Sequence, residues 1–448
     1  MPSGDRSNAS GERAAGITRR EIALLVAIGI ALRLVWLLLV GAWAGPLDLG
    51  EATNASLTFA RQGVIADAYF AGQGPTAHLL PTQIVIAGTI ERLFGPESPA
   101  ANMALSVWAL GQVAVGFVLT TELFRRLGTG RATLLGGLGV ACLIPAHVAS
   151  EAADFRVWEG ALAYDLAAAN LMWLMTLRAR AAVGMRALAV AAVLAAAGFF
   201  INPPAGLAVS AAWGLFAITR LPFRQAARFA LLTGVAMAVL IVPWALRNQA
   251  QLGEPVLLRS NFGLELALSN HDGALDPVSP DQAGKARIAA VHQTPERFRA
   301  AGGEVAYSRK VGAQTMRWIA AHPAAFLRLS VRHYRQFYVP DTWLEDATDW
   351  DRAKRVRVRM FQIVGVLGLA GLLLGLRRRG GDYVPLAIYI AVAGLPYAVV
   401  QPIPRYSYIV YPMLAFLAVE FVVGMQFGHW FRRAAGMPGG RRRLPAWS

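Results

Sequence analysis

Acidic residues are scarce in this chain. It has 27 Asp and Glu against 43 Lys and Arg, and charged residues make up only 16% of its 448 positions. A soluble domain carries about a quarter. Cysteine is nearly absent: Cys142 stands alone, which excludes an intramolecular disulfide and leaves an inert thiol inside an apolar block. The seven histidines (His78, His147, His271, His292, His322, His333 and His429) show no metal-ligand spacing, so no zinc motif is visible. A Walker loop and a dinucleotide fingerprint are also missing, which argues against soluble nucleotide-driven chemistry.

Apolar residues are abundant, at 56% of the chain. They come in blocks of roughly 16 to 22, close to the length that crosses a hydrocarbon core. The expected fold class is therefore an all-α polytopic membrane protein. About ten spans are read, near Ile22–Trp43, Ala101–Leu123, Ala132–Ala149, Trp158–Leu177, Ala187–Ile201, Ala205–Thr219, Phe229–Leu246, Phe361–Leu376, Tyr383–Val400 and Tyr408–Met425. The net charge of +16 suggests nucleic acid at first sight, but its placement argues against such a partner. Arginines gather at Arg19–Arg20, Arg125–Arg126, Arg178–Arg180, Arg224–Arg228, Arg377–Arg379 and Arg441–Arg443, beside the apolar blocks. That is the positive-inside pattern, with attraction to anionic headgroups of the bilayer.

Placing these clusters on one side puts both termini in the cytoplasm. Residues 1–18 form a polar tail whose composition predicts disorder, and 429–448 form a basic tail. The first apolar run is too long for a cleaved signal peptide and lacks a small-residue cleavage pattern. Two long segments fall on the far side, about 45–99 and 247–359. In the first, Thr82–Phe94 is apolar but too short to span, and reads as an interfacial helix. The second holds two helices broken at His322-Pro323. In the later one Leu327, Val331, Tyr334 and Tyr338 recur at helical spacing beside Arg328, Arg332 and Arg335. This predicts an amphipathic helix lying on the membrane, its arginines in headgroups or on a lipid phosphate.

Several polar residues gather on that far side. Asp48 and Glu51 follow the first span, three positions apart, so a helix or turn puts both on one face. A partly buried carboxylate at such a boundary can serve as a general base, although acidic residues are also ordinary at helix starts. Gly72-Gln-Gly-Pro-Thr-Ala-His78 is a turn-rich stretch able to shape a cleft. Glu151, Asp154, Arg156 and Glu159 sit where the third and fourth spans meet, as a polar cavity or as an Arg156–Glu159 helix pair. Asp165 and Asn170, deeper in the fourth span, suit bonds between helices. Arg247 and Arg405 fall at the depth of a lipid phosphate, where a guanidinium either grips phosphate oxygens or snorkels to the interface.

Taken in order, a further set of segments resembles the GT-C superfamily of membrane glycosyltransferases, and most nearly the bacterial relatives of protein O-mannosyltransferases and of the lipid A aminoarabinose transferase. The segments are Gly50-Glu51-Ala52, Ala60-Arg-Gln-Gly63, Gly74-Pro-Thr-Ala-His78, Leu93-Phe-Gly95 and Asn202-Pro203. Then come Pro243-Trp-Ala-Leu-Arg-Asn248, Arg259-Ser-Asn-Phe-Gly-Leu-Glu-Leu266 with Asn270, His322-Pro323 and Pro404-Arg-Tyr406. The likeness runs from about Ile22 to Val423. It implies a GT-C helical bundle over 19–428, with interfacial helices in the first outer loop and a long outer loop before the last three spans.

The resemblance also implies an activity: inverting transfer of a sugar from a polyprenyl-phosphate donor to a glycan, lipid or protein hydroxyl. The site would lie on the periplasmic face of a bacterial inner membrane. By position Glu51 matches the family's general base, with Asp48 as near alternative, and Glu159 and Asp154 match a second acidic group. Arg405 with Tyr406 would suit the donor phosphate, and Arg247 could assist. Gly74, Pro75, Thr76, His78, Asn248 and Asn261 would shape the cleft. Some members use a divalent cation, for which no sufficient ligand set is visible here. The chain departs from relatives in separating Asp48 from Glu51 and in reading Leu-Leu-Pro-Thr-Gln after His78. A flippase for a lipid-linked sugar, or an inactive glycolipid-binding relative, are the alternatives.

Overall fold

The computed structural model describes residues 17–41, 50–275, 295–341 and 351–434. Asp48 and most of both expected tails, 1–18 and 429–448, lie outside these residues. Among them the chain is helical, with no strand and one isolated bridge between Ala66 and Pro75.

Local sequence sets the helix starts. Thr18 opens α1 (Arg19–Leu39) with a reciprocal box, in which the Glu21 amide donates to Thr18 Oγ1 at 3.2 Å and the Thr18 amide to Glu21 Oε2 at 2.7 Å. Gly50, at φ 65°, leads into α2 (Glu51–Gln62), which Gly63 ends in the left-handed region. The short apolar helix expected at 82–94 is α3 (Pro81–Phe94), packed against α2. Ser98 caps α4 (Pro99–Arg126) and Asn202 caps α9 (Pro203–Arg220), each followed by a proline whose missing N–H costs nothing there. Between them run α5 (Arg131–Leu143), the short α6 (Val148–Ala152), α7 (Gly160–Arg178) and α8 (Met185–Ile201). The third apolar block thus ends at Leu143, six residues early, because Pro145 breaks it into short turns. The seventh block is longer than its apolar run: α10 covers Phe223–Leu252 and carries Arg247 and Asn248 within its last turns.

Beyond α11 (Phe262–Ser269) the two expected outer helices are Glu304–Ala321 and Pro323–Tyr338, parted at His322. The eighth and ninth blocks form one run, Asp351–Ala393, broken at Arg379 (φ −138°, ψ 35°). Tyr338 lies against both Gly365 and Gly394, so the run turns back on itself. The helix Tyr411–Ala434 packs into it, and the glycines make the approach close: a Cβ on Gly371 would sit 1.9 Å from the Leu417 carbonyl oxygen. Among the described residues, five helical segments are long and apolar enough to cross a membrane by length and composition, α1, α4 and α10 included, and Met185–Ile201 and Tyr411–Met425 are shorter apolar helices. The protein is a multi-pass membrane protein.

Two expectations change with the structure. The stripe on Pro323–Tyr338 splits: Leu327 and Val331 face outward, while the Tyr334 and Tyr338 hydroxyls donate to the carbonyls of Ala391 and Ile390. Arg332 donates to the Ala274 carbonyl, and Arg335, still largely exposed, pairs with the Asp341 carboxylate. The in-span cation Arg33 is also a structural group. Its guanidinium meets Glu151 Oε2 at 2.6 Å, donates to the Gly29 and Cys142 carbonyls at 2.8 Å each and covers the Phe117 ring. Asn170 bridges α7 to α8 and α9, donating to the Leu194 carbonyl and accepting from Trp213 Nε1, as its position suggests.

Breaking the Arg33–Glu151 pair strands a charge in an apolar interior. Arg33→Met should cost about 3 to 5 kcal/mol, and Arg33→Met with Glu151→Leu should recover most of it. Thermal unfolding in detergent checks both. An unchanged midpoint in the single variant contradicts the assignment.

Candidate active site

The outer segments are fastened by one buried carboxylate. Glu304, first residue of its helix, accepts from the Thr76 and Ser260 hydroxyls, from Gln73 Nε2 at 2.8 Å and from the Ala77 amide at 2.9 Å. The Ser260 amide donates to the Ala77 carbonyl at 2.9 Å. Glu304 therefore joins the first outer segment to the second. The turn it holds is built by Gly74 (φ 89°) and Asp67 (φ 59°): the Asp67 amide donates to the Gly74 carbonyl, and the Gly74 amide to Asp67 Oδ1. His78 Nδ1 lies 2.7 Å from the Tyr69 hydroxyl at the turn's inner edge.

Arg247 serves the same scaffold. It donates to the Thr76 carbonyl at 2.7 Å and to the Ile65 carbonyl at 2.5 Å, and lies over the Trp244 ring. Asn248 accepts from Arg247 and donates to the Val256 carbonyl at 2.7 Å. Arg247 thus clamps the turn, with Asn248 beside it. Gly74, Pro75 and Thr76 shape this turn, and Pro75 lines a cavity beside it with Gln73 and Glu304.

Elsewhere on the outer side, residues from five distant segments converge. Glu51 is the first residue of α2. Asp154 lies in the 3-10 turn Asp154–Arg156, and Glu159 caps α7. Arg405 and Tyr406 lie in the 3-10 turn Pro404–Ile409. Arg405 Nη1 is 3.7 Å from Asp154 Oδ2, and its guanidinium lies over the Trp158 and Tyr406 rings at 5.6 and 5.7 Å. Glu51 lies within electrostatic range of Arg405, Tyr69 and Glu265. Glu159, 7% exposed, pairs with Arg259. Arg405 lies beside Asp154, with Glu51 within its field, and Arg259, Glu265 and Tyr397 join the residues read from the sequence.

Glu265 stands on α11, where Asn261 Nδ2 donates to it at 3.2 Å. The helix is pressed onto Glu304–Ala321 through Gly263, since a Cβ there would lie 2.0 Å from the Ser308 carbonyl oxygen. Burial first, then the charge of Glu51, raises the Glu265 carboxyl above its ordinary range, while Arg259 and Arg405 oppose the shift. Tyr406 stacks on Tyr397, with centroids 5.3 Å apart, and Tyr397 stacks on Phe337 at 4.8 Å. Burial and then Glu265 push the Tyr406 phenol up to about 12, so it is a neutral donor at physiological pH. The Nε atoms of Arg259 and Arg405 are buried and have no hydrogen-bond partner.

Four carboxyl groups thus face two guanidiniums, one arginine paired tightly and one loosely. Such a site can take a proton at a carboxylate and hold an anion at the arginines. Among the described residues no group of three or more His, Cys, Asp or Glu is placed to hold a metal ion.

No family model matches the sequence, and no curated protein matches it. Solved structures match in three dimensions. The oligosaccharyltransferase AglB of Archaeoglobus fulgidus, in complex with an inhibitory peptide and a dolichol-phosphate, superposes with a TM-score of 0.51 and 13% identity, over 95% of this chain and 52% of that one. Its apo form gives 0.53, with the same identity and coverage. ArnT of Cupriavidus metallidurans, bound to undecaprenyl phosphate, gives 0.41 at 13% identity, over 96% of this chain and 82% of that one. The chain spans about half the length of the archaeal structures. The likeness to AglB is one of fold: the chain shares the helical architecture of the part of that structure it covers.

Removing the Glu304 carboxylate should open the outer turn. In Glu304→Ala, amide exchange at Ala77 and Ser260 should speed up about thirtyfold, equivalent to about 2 kcal/mol. Glu254→Ala, which breaks only the exposed pair with Arg309, should leave both unchanged. Equal exchange in the two variants contradicts the role given to Glu304.

Proposed function

We propose that this chain transfers a sugar from a polyprenyl-phosphate-linked donor to an acceptor hydroxyl on the non-cytoplasmic face of the membrane. Both termini are then cytoplasmic, and residues 19–428 form the catalytic domain. The observation that carries the proposal is the convergence of Glu51 with Arg405, Arg259 and Glu265. The fold supports it, since AglB, the structure it resembles, was solved with a dolichol-phosphate.

A sugar phosphodiester on a long lipid cannot leave the bilayer, so its enzyme must meet it at the interface. The phosphate departs as an anion. Arg405, held flat by Trp158 and Tyr406, offers a free Nε–H toward that charge, and Arg259 offers another. The Tyr406 phenol is a further donor. Glu51 takes the acceptor's proton as its oxygen attacks the anomeric carbon from the side opposite the phosphate, which inverts that centre in one displacement. Asp154 and Glu159 stand as counter-ions that orient the two arginines. The sugar–phosphate bond is already activated, so no nucleotide is required.

Exchanging Glu51 for Gln keeps shape and removes the base. In cells carrying the variant as their sole copy, mass spectrometry of envelope glycolipids and glycoproteins should show product reduced by about a hundredfold or more. Asp48→Asn is the companion variant. Wild-type product levels in the double variant would overturn the base assignment.

A further inference from the structure

Arg405 is held by rings more than by its counter-ion. Its Nη1 stands 3.7 Å from Asp154 Oδ2, beyond hydrogen-bond reach, whereas Arg259 bonds Glu159 directly. The guanidinium rests over the Trp158 and Tyr406 rings, which meet 5.7 Å apart at 47° and form a shallow corner beneath it. Tyr406 in turn stacks on Tyr397 (5.3 Å, 26°), and Tyr397 on Phe337 (4.8 Å, 14°). Resting on the reading of Arg405 as a group that binds the donor phosphate, we propose that Phe337 and Tyr397 are positioning residues for that arginine. They hold the Tyr406 ring, and through it the guanidinium, in the orientation that meets the phosphate.

The column is rooted at both ends. Phe337 is 1% exposed on the outer helix Pro323–Tyr338, and Tyr397 is 7% exposed. Tyr338, edge-on to Phe337 at 4.9 Å, donates to the Ile390 carbonyl. Gly394 lets the outer helix come this close: a Cβ there would lie 2.5 Å from the Tyr338 hydroxyl and 3.0 Å from Tyr334 Cε2. The turn that carries Tyr397, Pro396–Val399, is tied to the end of α11, because Asn270 Nδ2 donates to the Val399 carbonyl at 2.9 Å. At the opposite end Trp158 leans on Phe155, which is fully buried. Near-parallel rings at these separations attract one another and resist tilting. A leucine in place of either ring fills space but offers no ring face, so Tyr406 is released to tilt and the guanidinium follows it. An arginine whose orientation is not fixed beforehand must be ordered when the anion arrives, and affinity falls by that cost. Phe337 thereby acts on the site through two intervening rings.

The experiment uses the full-length protein in nanodiscs, with citronellyl phosphate as the probe, at one fixed pH. Arg405→Ala should weaken binding about tenfold or more. Tyr397→Leu and Phe337→Leu should each weaken it about three- to tenfold. Tyr397→Phe keeps the ring and should bind within about twofold of wild type. A merely structural role would give losses that multiply when variants are combined. A positioning role does not: on the Arg405→Ala background Tyr397→Leu should change affinity by less than about twofold, because the group it positions is gone. Where Tyr397→Leu fails to fold, Phe337→Leu on the same background carries the test. Wild-type affinity in Tyr397→Leu or Phe337→Leu, or a loss that multiplies in full with that of Arg405→Ala, overturns the inference. Absence of probe binding by the wild type, or wild-type affinity in Arg405→Ala, overturns instead the phosphate-site reading beneath it.

Discussion

The site depends on the bond set of Glu304. This carboxylate is buried and accepts four donors drawn from two segments 183 residues apart at their nearest, Ala77 and Ser260. Its cost of burial is met only when all of those donors are in place, so the outer turn and the approach to α11 are fixed together or not at all. Ser260 is next to Arg259 and Asn261, and α11 follows at once. The same carboxylate therefore positions the arginine that holds Glu159 and the helix that carries Glu265. Arg247 adds a second fastening on the Ile65 and Thr76 carbonyls.

Below this layer the bilayer sets a different rule. Polar groups there have no water to turn to and must be satisfied inside the bundle. Arg33 with Glu151, and Asn170 with Trp213, follow that rule. They join α1 to the broken segment after α5, and α7 to α9. That broken segment is what brings Asp154 and Glu159 to the site. A regular span through Ala149 would have carried the chain past it, and Pro145 prevents this.

Much of this could be read in the sequence. The apolar blocks marked most of the long helices, and His322-Pro323 marked a real helix boundary. Glu51 and Arg405 were legible because each stands next to the end of an apolar run. Glu265 was not, although it lay in a stretch whose resemblance was noticed. Its surroundings come from α2, from the 397–406 region and from Arg259, and no local periodicity encodes such a meeting. Arg247 shows the converse. Its depth matched that of a phosphate, and depth does not reveal that two backbone carbonyls meet its guanidinium. For Arg332 and Arg335, a regular stripe suggested a lipid-facing row, whereas Asp341 and the Ala274 carbonyl lay within reach.

The central claim is that a lipid phosphate rests between Arg259 and Arg405, opposite Glu51. Cryo-electron microscopy of the protein in nanodiscs, with a polyprenyl phosphate added, tests it most directly. The account predicts phosphate density within hydrogen-bonding distance of the Nε atoms of both arginines, with the lipid tail running into the bilayer from that point. Phosphate density at the cytoplasmic arginine clusters, with none between Arg259 and Arg405, would contradict it.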